Sequence, residues 1–156
     1  MLANALVSSR LDYCNSLYFG LPKVLLGRLQ SIQNSLARVV VPSVRRTDHI
    51  TPTLRALHWL PVEKRIDFKI AVLTFKVLRN DRPLYLASLV SRYVPTRLLR
   101  SADKETLVMP NIKSANGRRS FSFSAPTIWN SLPLEMRSIT SFPVFRKKLK
   151  HHLFPP

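Results

Sequence analysis

The chain has 156 residues, of which 25 are Lys or Arg and only 8 are Asp or Glu, a formal net charge of +17, yet 46% of it is apolar. A disordered basic tail would hold few large hydrophobes, so the charge belongs to something that folds, and the length predicts one domain that buries most of its unfolded-chain surface. A folded surface this positive repels itself unless a polyanion is close, which puts nucleic acid first among partners, ahead of membrane phosphate or an acidic protein.

A single cysteine, Cys14, excludes an internal disulfide and favours a reducing compartment. Set among Tyr13, Leu17 and Tyr18, it reads as a small buried hydrophobe rather than a nucleophile. The apolar run from Met1 to Val7 has no basic region before it and is soon interrupted by Arg10 and Asp12, which does not match a secretory signal. No stretch reaches the ~18 uninterrupted apolar residues of a spanning helix. The expectation is a soluble intracellular protein, nuclear or cytoplasmic, neither secreted nor in a membrane. Four of the cations lie in residues 1–40, eight in 41–80, eight in 81–120 and five in 121–156, so the folded surface itself, and not an appended arm, is expected to be positive.

In chain order, residues 2–19 fit a helix with an apolar face through Leu2, Leu6, Tyr13 and Leu17, stopped by Gly20 and Pro22. Arg10 projects into that face, so it is expected either to pair with an acid, the favoured reading, or to mark a break in the helix. The next helix, about 23–41, carries a stripe of Leu25, Leu29, Ile32, Leu36 and Val40, with Lys23, Gln30, Asn34 and Arg38 on the other side. Pro42 ends it, and a loop with Arg45, Arg46, Asp48 and His49 leads to a short helix from Thr51 to about Leu60. Pro61 suits the first turn of a long helix, about 61–79, with Glu63 and Asp67 near its positive end. At about 100° per residue this helix has two opposed apolar faces, Val62, Ile66, Ile70, Leu73 and Val77 against Phe68, Ala71, Val72, Phe75 and Leu78. Between them run a basic strip (Arg65, Lys69, Lys76) and a narrower one (Glu63, Asp67, Thr74). A helix apolar on both sides is packed on both sides, so it is expected at the centre of a bundle.

Pro83 opens a helix to about Tyr93. From Pro95 the pattern changes. Leu107 to Met109 and Arg118 to Ser124, the latter alternating Phe121 and Phe123 with serines, predict two short strands joined at Asn116-Gly117. Pro126 and Pro133 each start a helical turn. Ser141 and Pro143 open the last helix, with Phe142, Phe145, Leu149 and Leu153 inward and Arg146, Lys147, Lys148 and Lys150 mostly outside.

Chemistry-bearing clusters are missing. The eight acids are scattered singly, three glycines exclude a phosphate cradle, and no His/Cys set has metal-ligand spacing. The chain is therefore expected to be no enzyme and to need no metal, cofactor or small-molecule substrate. His151-His152 reads as a solvated helix end, and Trp59 and Trp129 as packing residues that would stack on bases only if exposed. Arg45-Arg46 and Arg118-Arg119, in loops or at strand edges, are the better phosphate candidates, with the run Arg146 to Lys150 as a further face or import signal.

Three segments carry a resemblance: Ser9 to Pro22 (SRLDYCNSLYFGLP); Asp48 to Pro52 (DHITP) with Leu57 to Ile70 (LHWLPVEKRIDFKI); and Phe121 to Pro133 (FSFSAPTIWNSLP), with Phe145 to Phe154 closing the chain. Their order and spacing resemble the C-terminal region of the open reading frame 2 polyprotein of LINE-type (non-LTR) retrotransposons of the jockey and chicken-repeat kind. The resemblance implies that residues 1–94 correspond to the thumb of a reverse transcriptase, an RNA-directed DNA polymerase, which holds the template–primer duplex. It implies that 95–156 form the family's C-terminal extension, packed with the thumb as one unit. The polymerase aspartates and the endonuclease lie upstream in that family and have no counterpart here, so the chain resembles a truncated frame without catalysis of its own. Leu11 to Asn15, His58 to Pro61, Trp129-Asn130 and Leu132-Pro133 are its recognisable positions, read as structural. At Asn80-Asp-Arg82 the chain departs from the small residues usual in the family.

The fold expected is mainly α, a helical bundle around helix 61–79 with a small β-hairpin near 106–124. The function expected is non-sequence-specific binding of nucleic-acid backbone (RNA, DNA or hybrid) through Arg45, Arg46, Arg65, Lys69, Lys76, Arg118 and Arg119, with Lys147 and Lys148 next. The alternatives are a protein-interaction module or a retrotransposon relic without function.

Overall fold

The computed structural model describes residues 2–80, 82–95 and 105–154; Asp81, one of the positions at which the chain departs from the family it resembles, lies outside them. The chain is mainly helical: α1 (Leu2–Asp12), α2 (Lys23–Val40), α3 (Thr51–Ala56), α4 (Val62–Asn80), α5 (Leu84–Ala87), α6 (Phe121–Ser131), α7 (Leu134–Arg137) and α8 (Phe142–Leu153), with 3-10 turns at Asn15–Tyr18 and Gly117–Arg119.

Helix α4 stands between two separate apolar clusters, as its two-faced pattern requires. On one side Val62, Ile66 and Ile70 pack with Ala125, Tyr18, Leu26 and Leu29. On the other, Ala71 and Phe75 join Trp129, Phe145, Leu149 and Leu153. Phe75 stacks on Phe145 with ring centroids 4.4 Å apart, and Trp129 leans on the same Phe145 ring at 5.8 Å. Offset aromatic contacts of this kind add about 0.5–1.5 kcal/mol each beyond the area they bury. Residues from before and after position 94 thus share both clusters.

The start of α4 is fixed by side-chain amides. Pro61 has no N–H, and the break it makes leaves main-chain groups without helical partners. Gln30 Oε1 accepts from the Val62 N–H at 2.8 Å, and Gln33 Nε2 donates to the Leu60 carbonyl at 2.9 Å. The two glutamines also bond each other at 3.0 Å. This turns α2 relative to its expected stripe: Gln33, Leu36 and Ala37 are buried, while Leu25, Ile32 and Val40 are exposed.

The β-hairpin near 106–124 does not form; no strand longer than a single bridge exists among the described residues. The Phe/Ser alternation covers only five residues, whereas Phe121, Ala125, Ile128 and Trp129 extend a 3.6 period, and the longer pattern prevails as α6. Pro126 lies inside that helix, and Asn116-Gly117 leads into a 3-10 turn. Leu107 pairs instead with Arg92, through Tyr93 N–H to the Thr106 carbonyl and Val108 N–H to the Ser91 carbonyl, both 2.9 Å. The same pairing stops the helix after Pro83 at Ala87 rather than Tyr93. The outer side of Leu107 is closed by Asn130, whose Oδ1 accepts its N–H at 2.8 Å and whose Nδ2 donates to its carbonyl at 2.9 Å. Trp129 Nε1 donates to the Glu105 carbonyl next door.

The first helix also ends early, at Asp12, because Cys14 takes the left-handed conformation (φ 49°) and a 3-10 turn comes after it. Cys14 is exposed, contrary to its apolar setting in sequence. Arg10 has no acidic partner among the described residues. On the narrow strip of α4, Thr74 is buried and donates to the Ile70 carbonyl, while Asp67 lies 3.4 Å from Lys64.

Two stability predictions result. Asn130→Ala, which unpairs both main-chain groups of Leu107, is expected to destabilise by about 1–3 kcal/mol in urea unfolding. Burial raises the pKa of Asp67, partly offset by Lys64. A raised folded-state pKa means the folded chain holds the proton more tightly, so the ionised carboxylate opposes folding, and stability falls as pH rises from the ordinary aspartate range through the raised value. Asp67→Asn is therefore expected to be more stable than the parent at neutral pH, with the difference shrinking as unfolding is measured at lower pH.

Candidate nucleic-acid interface

Arg65, Lys69 and Lys76 share one side of α4. Helix α8 runs back along this helix: Phe142 and Phe145 meet Phe75, so the later turns of α8 fall beside the N-terminal half of α4. Arg146 and Lys150, one turn apart, thereby come to lie next to Phe68 and Lys69. With Asp12, Asn15, His58, Leu60 and Arg65 they line a cleft of about 280 Å³.

The cations of this cleft differ in role. Arg65 has a side chain only 12% exposed; its Nη1 bonds Asp12 Oδ1 at 2.8 Å, and its Nε donates to the Leu60 carbonyl at 3.0 Å. That guanidinium is a brace between the α1 end, the Pro61 corner and α4. Lys69, Arg146 and Lys150 are exposed, and none has an ion-pair partner among the described residues. Three such cations drawn from two helices around one concavity form a local positive field suited to phosphate oxygens. Lys76, farther along the strip, holds its Nζ 5.2 Å from the centre of the Phe142 ring, a cation–π contact at the α8 start.

The remaining candidates lie elsewhere. Arg45 and Arg46 are exposed in the loop after α2, whose carbonyls at positions 45, 46 and 48 accept from the Arg38 guanidinium at 3.3–3.4 Å. Arg118 Nε donates to the Ile112 carbonyl, and the Arg119 stem lies against Gly20, where a Cβ would stand 3.1 Å from its Cγ. None of these four lines the cleft. At 100° per residue, Lys147 projects away from the inner stripe of α8 and Lys148 falls on the flank opposite Arg146 and Lys150. The run Arg146 to Lys150 thus does contribute, but through Arg146 and Lys150 rather than Lys147 and Lys148. The i, i+4 spacing of that pair is visible in the sequence; which flank of α8 faces the α4 strip is not.

Trp129 is fully buried and cannot stack on a base. Trp59 lines a separate apolar cavity of about 270 Å³ with Leu54, Pro61 and Phe154. His151 and His152 are exposed at the helix end. Among the described residues no three His, Cys, Asp or Glu side chains sit together so as to hold a metal ion, and no helix is long and apolar enough to cross a membrane. Comparison with protein-family models, with curated proteins and with solved structures yields no match.

The difference between brace and free cation is measurable. Arg65→Ala is expected to lower stability by about 1–3 kcal/mol, because it leaves Asp12 and the Leu60 carbonyl short of a donor. Lys69→Gln is expected to stay within about 0.5 kcal/mol of the parent in the same urea titration.

Proposed function

We propose that this chain binds the sugar–phosphate backbone of nucleic acid without regard to sequence, as a fragment of retrotransposon reverse-transcriptase ancestry that carries no polymerase chemistry of its own. The observation that carries the proposal is the convergence of Lys69, Arg146 and Lys150 on one cleft, none of the three ion-paired among the described residues and the one acid of the lining, Asp12, held by Arg65. The net charge supports it, as does the resemblance of the Ser9–Pro22, Leu57–Ile70 and Phe121–Pro133 segments to the thumb and post-polymerase region of LINE-type proteins. The dispersal of the eight acids supports the absence of nucleotidyl transfer.

Binding through phosphate releases counter-ions, so log K against log salt is expected to fall by about 0.9 per contact on a duplex, or about 0.7 on a single strand. Fluorescence anisotropy with an RNA–DNA hybrid should give a slope of about −2 to −3 from the cleft cations, and Lys69→Gln with Lys150→Gln should reduce its magnitude by about 1.4–1.8. Affinity that does not weaken with salt sinks the proposal.

One observation favours a protein partner instead. Leu6, Leu17, Val24 and Ile32, on α1, the turn after it and α2, are each more than half exposed. A partner retained after nuclease digestion and lost in Leu6→Asp with Ile32→Asp would carry that second reading.

A further inference from the structure

Helix α3 ends in a left-handed turn that satisfies two of its carbonyls: the Trp59 N–H donates to the Leu54 carbonyl at 2.8 Å, and the His58 N–H to the Arg55 carbonyl at 2.9 Å. The central residue of such a turn has a positive φ, and glycine is the usual choice because a Cβ there is strained. The chain does use glycine in this conformation at Gly20 (φ 71°), but here it holds His58 (φ 55°). The imidazole gives the fold nothing in return. It is exposed, and no hydrogen bond or ion pair joins it to any of the described residues. Strained backbone under a side chain without a partner in the molecule marks a functional position.

The turn sets His58 on the wall of the basic cleft. Lys69 reaches that cleft from α4, and Arg146 and Lys150 reach it from α8, so His58 adds a nitrogen donor from a third direction, the corner between α3 and α4. Asp12, at the end of α1, is the one acid of the lining and is held by Arg65 at 2.8 Å. Glu63 and Asp67 lie on the other flank of α4 from Arg65 and Lys69. A cationic ring at position 58 therefore faces cations and no free carboxylate, an arrangement that an anion in the cleft relieves. Phosphate and proton then favour each other's binding, by linkage.

Resting on the nucleic-acid proposal above, we infer that His58 is a phosphate-binding residue of this cleft, its imidazolium donating to a backbone phosphate oxygen beside Lys69, Arg146 and Lys150. The contact is complete only when the ring is protonated, so the grip tightens as pH falls.

The test is anisotropy with the RNA–DNA hybrid at about pH 8 and about pH 5.5, an interval over which histidine gains its proton and a phosphodiester stays ionised. The parent chain is expected to bind roughly three- to ten-fold more tightly at the lower pH, the effect of one net hydrogen bond, with a salt slope steeper by about 0.9. His58→Gly removes the left-handed strain, so it is expected to raise the urea midpoint while losing most of the pH response. A purely structural residue would give the first change without the second. His58→Asn, which tolerates the same conformation, should also lose the response, and His151→Gln with His152→Gln should keep it. A pH response absent from the parent, or persisting in both His58 variants, overturns the assignment and leaves salt-sensitive backbone binding intact. A lowered urea midpoint in His58→Gly overturns it as well. Absent or salt-insensitive binding at both pH values overturns the assignment and the backbone proposal together.

Discussion

The molecule depends on one helix being apolar on two sides. A helix buried along a single stripe can sit at the edge of a fold and leave its polar face to solvent. Helix α4 cannot, because Ile66 and Ile70 point one way and Ala71 and Phe75 another, all at or near zero exposure. Two separate sets of neighbours must cover it, and they come from distant parts of the chain: the 3-10 turn at Asn15–Tyr18 and α2 on one side, α8 on the other, with α6 reaching both clusters. What remains for charge is the pair of flanks. One of them carries Arg65, Lys69 and Lys76, and the neighbour that covers the Phe75 face brings Arg146 and Lys150 up to it. The cleft is thus a consequence of how the core is divided.

The corner before α4 sets where that flank begins. Pro61 interrupts the main-chain hydrogen bonding, and the Leu60 carbonyl takes two donors, Gln33 Nε2 and Arg65 Nε, from helices on either side of the break. Net, each such bond is worth about 1 kcal/mol, but losing one partner of a buried pair costs more than that. The two glutamines and the arginine therefore act as a unit that holds α2, the corner and α4 in register. Asp12 extends this unit to the end of α1, and Asn15 stands three residues later on the cleft wall.

Period is the part of this fold that is legible in the sequence. Helix α4 announces both faces over five turns, and α8 shows its inner stripe through Phe145, Leu149 and Leu153, each of them buried. Where the signal is shorter, competing patterns win. Phe121 to Ser124 alternates like a strand, but its continuation through Ala125 and Trp129 is helical, and the helix buries the Trp129 side chain completely. The α2 stripe departs from expectation for a different reason: Gln30 and Gln33 turn inward to serve main-chain groups at a proline corner 27–32 residues away, a demand no local window contains. The site is legible only in part. Arg65 and Lys69 follow from the α4 period, but Arg146 and Lys150 require knowing which flank of α8 meets α4.

The net charge itself divides into two kinds. Arg38, Arg65, Arg79, Arg92, Arg118 and Arg137 all donate to main-chain carbonyls, at Arg45, Leu60, Arg137, Leu78, Ile112 and Leu132 respectively. These carbonyls sit at helix ends and in loops, where a chain richer in glycine would close its helices with left-handed caps. With three glycines and twelve prolines, this chain ends α1 and α3 near left-handed Cys14 and His58, ends α2, α4 and α6 shortly before a proline, and answers stranded carbonyls with guanidinium groups, whose planar fork of donors suits the task as an ammonium does not. Six of the sixteen arginines are thus engaged at main-chain carbonyls. Among the cations without such duties, Lys69, Arg146 and Lys150 share a wall. A count of basic residues therefore overstates the charge that is free, and the hydrogen-bond partners of each cation separate the two kinds.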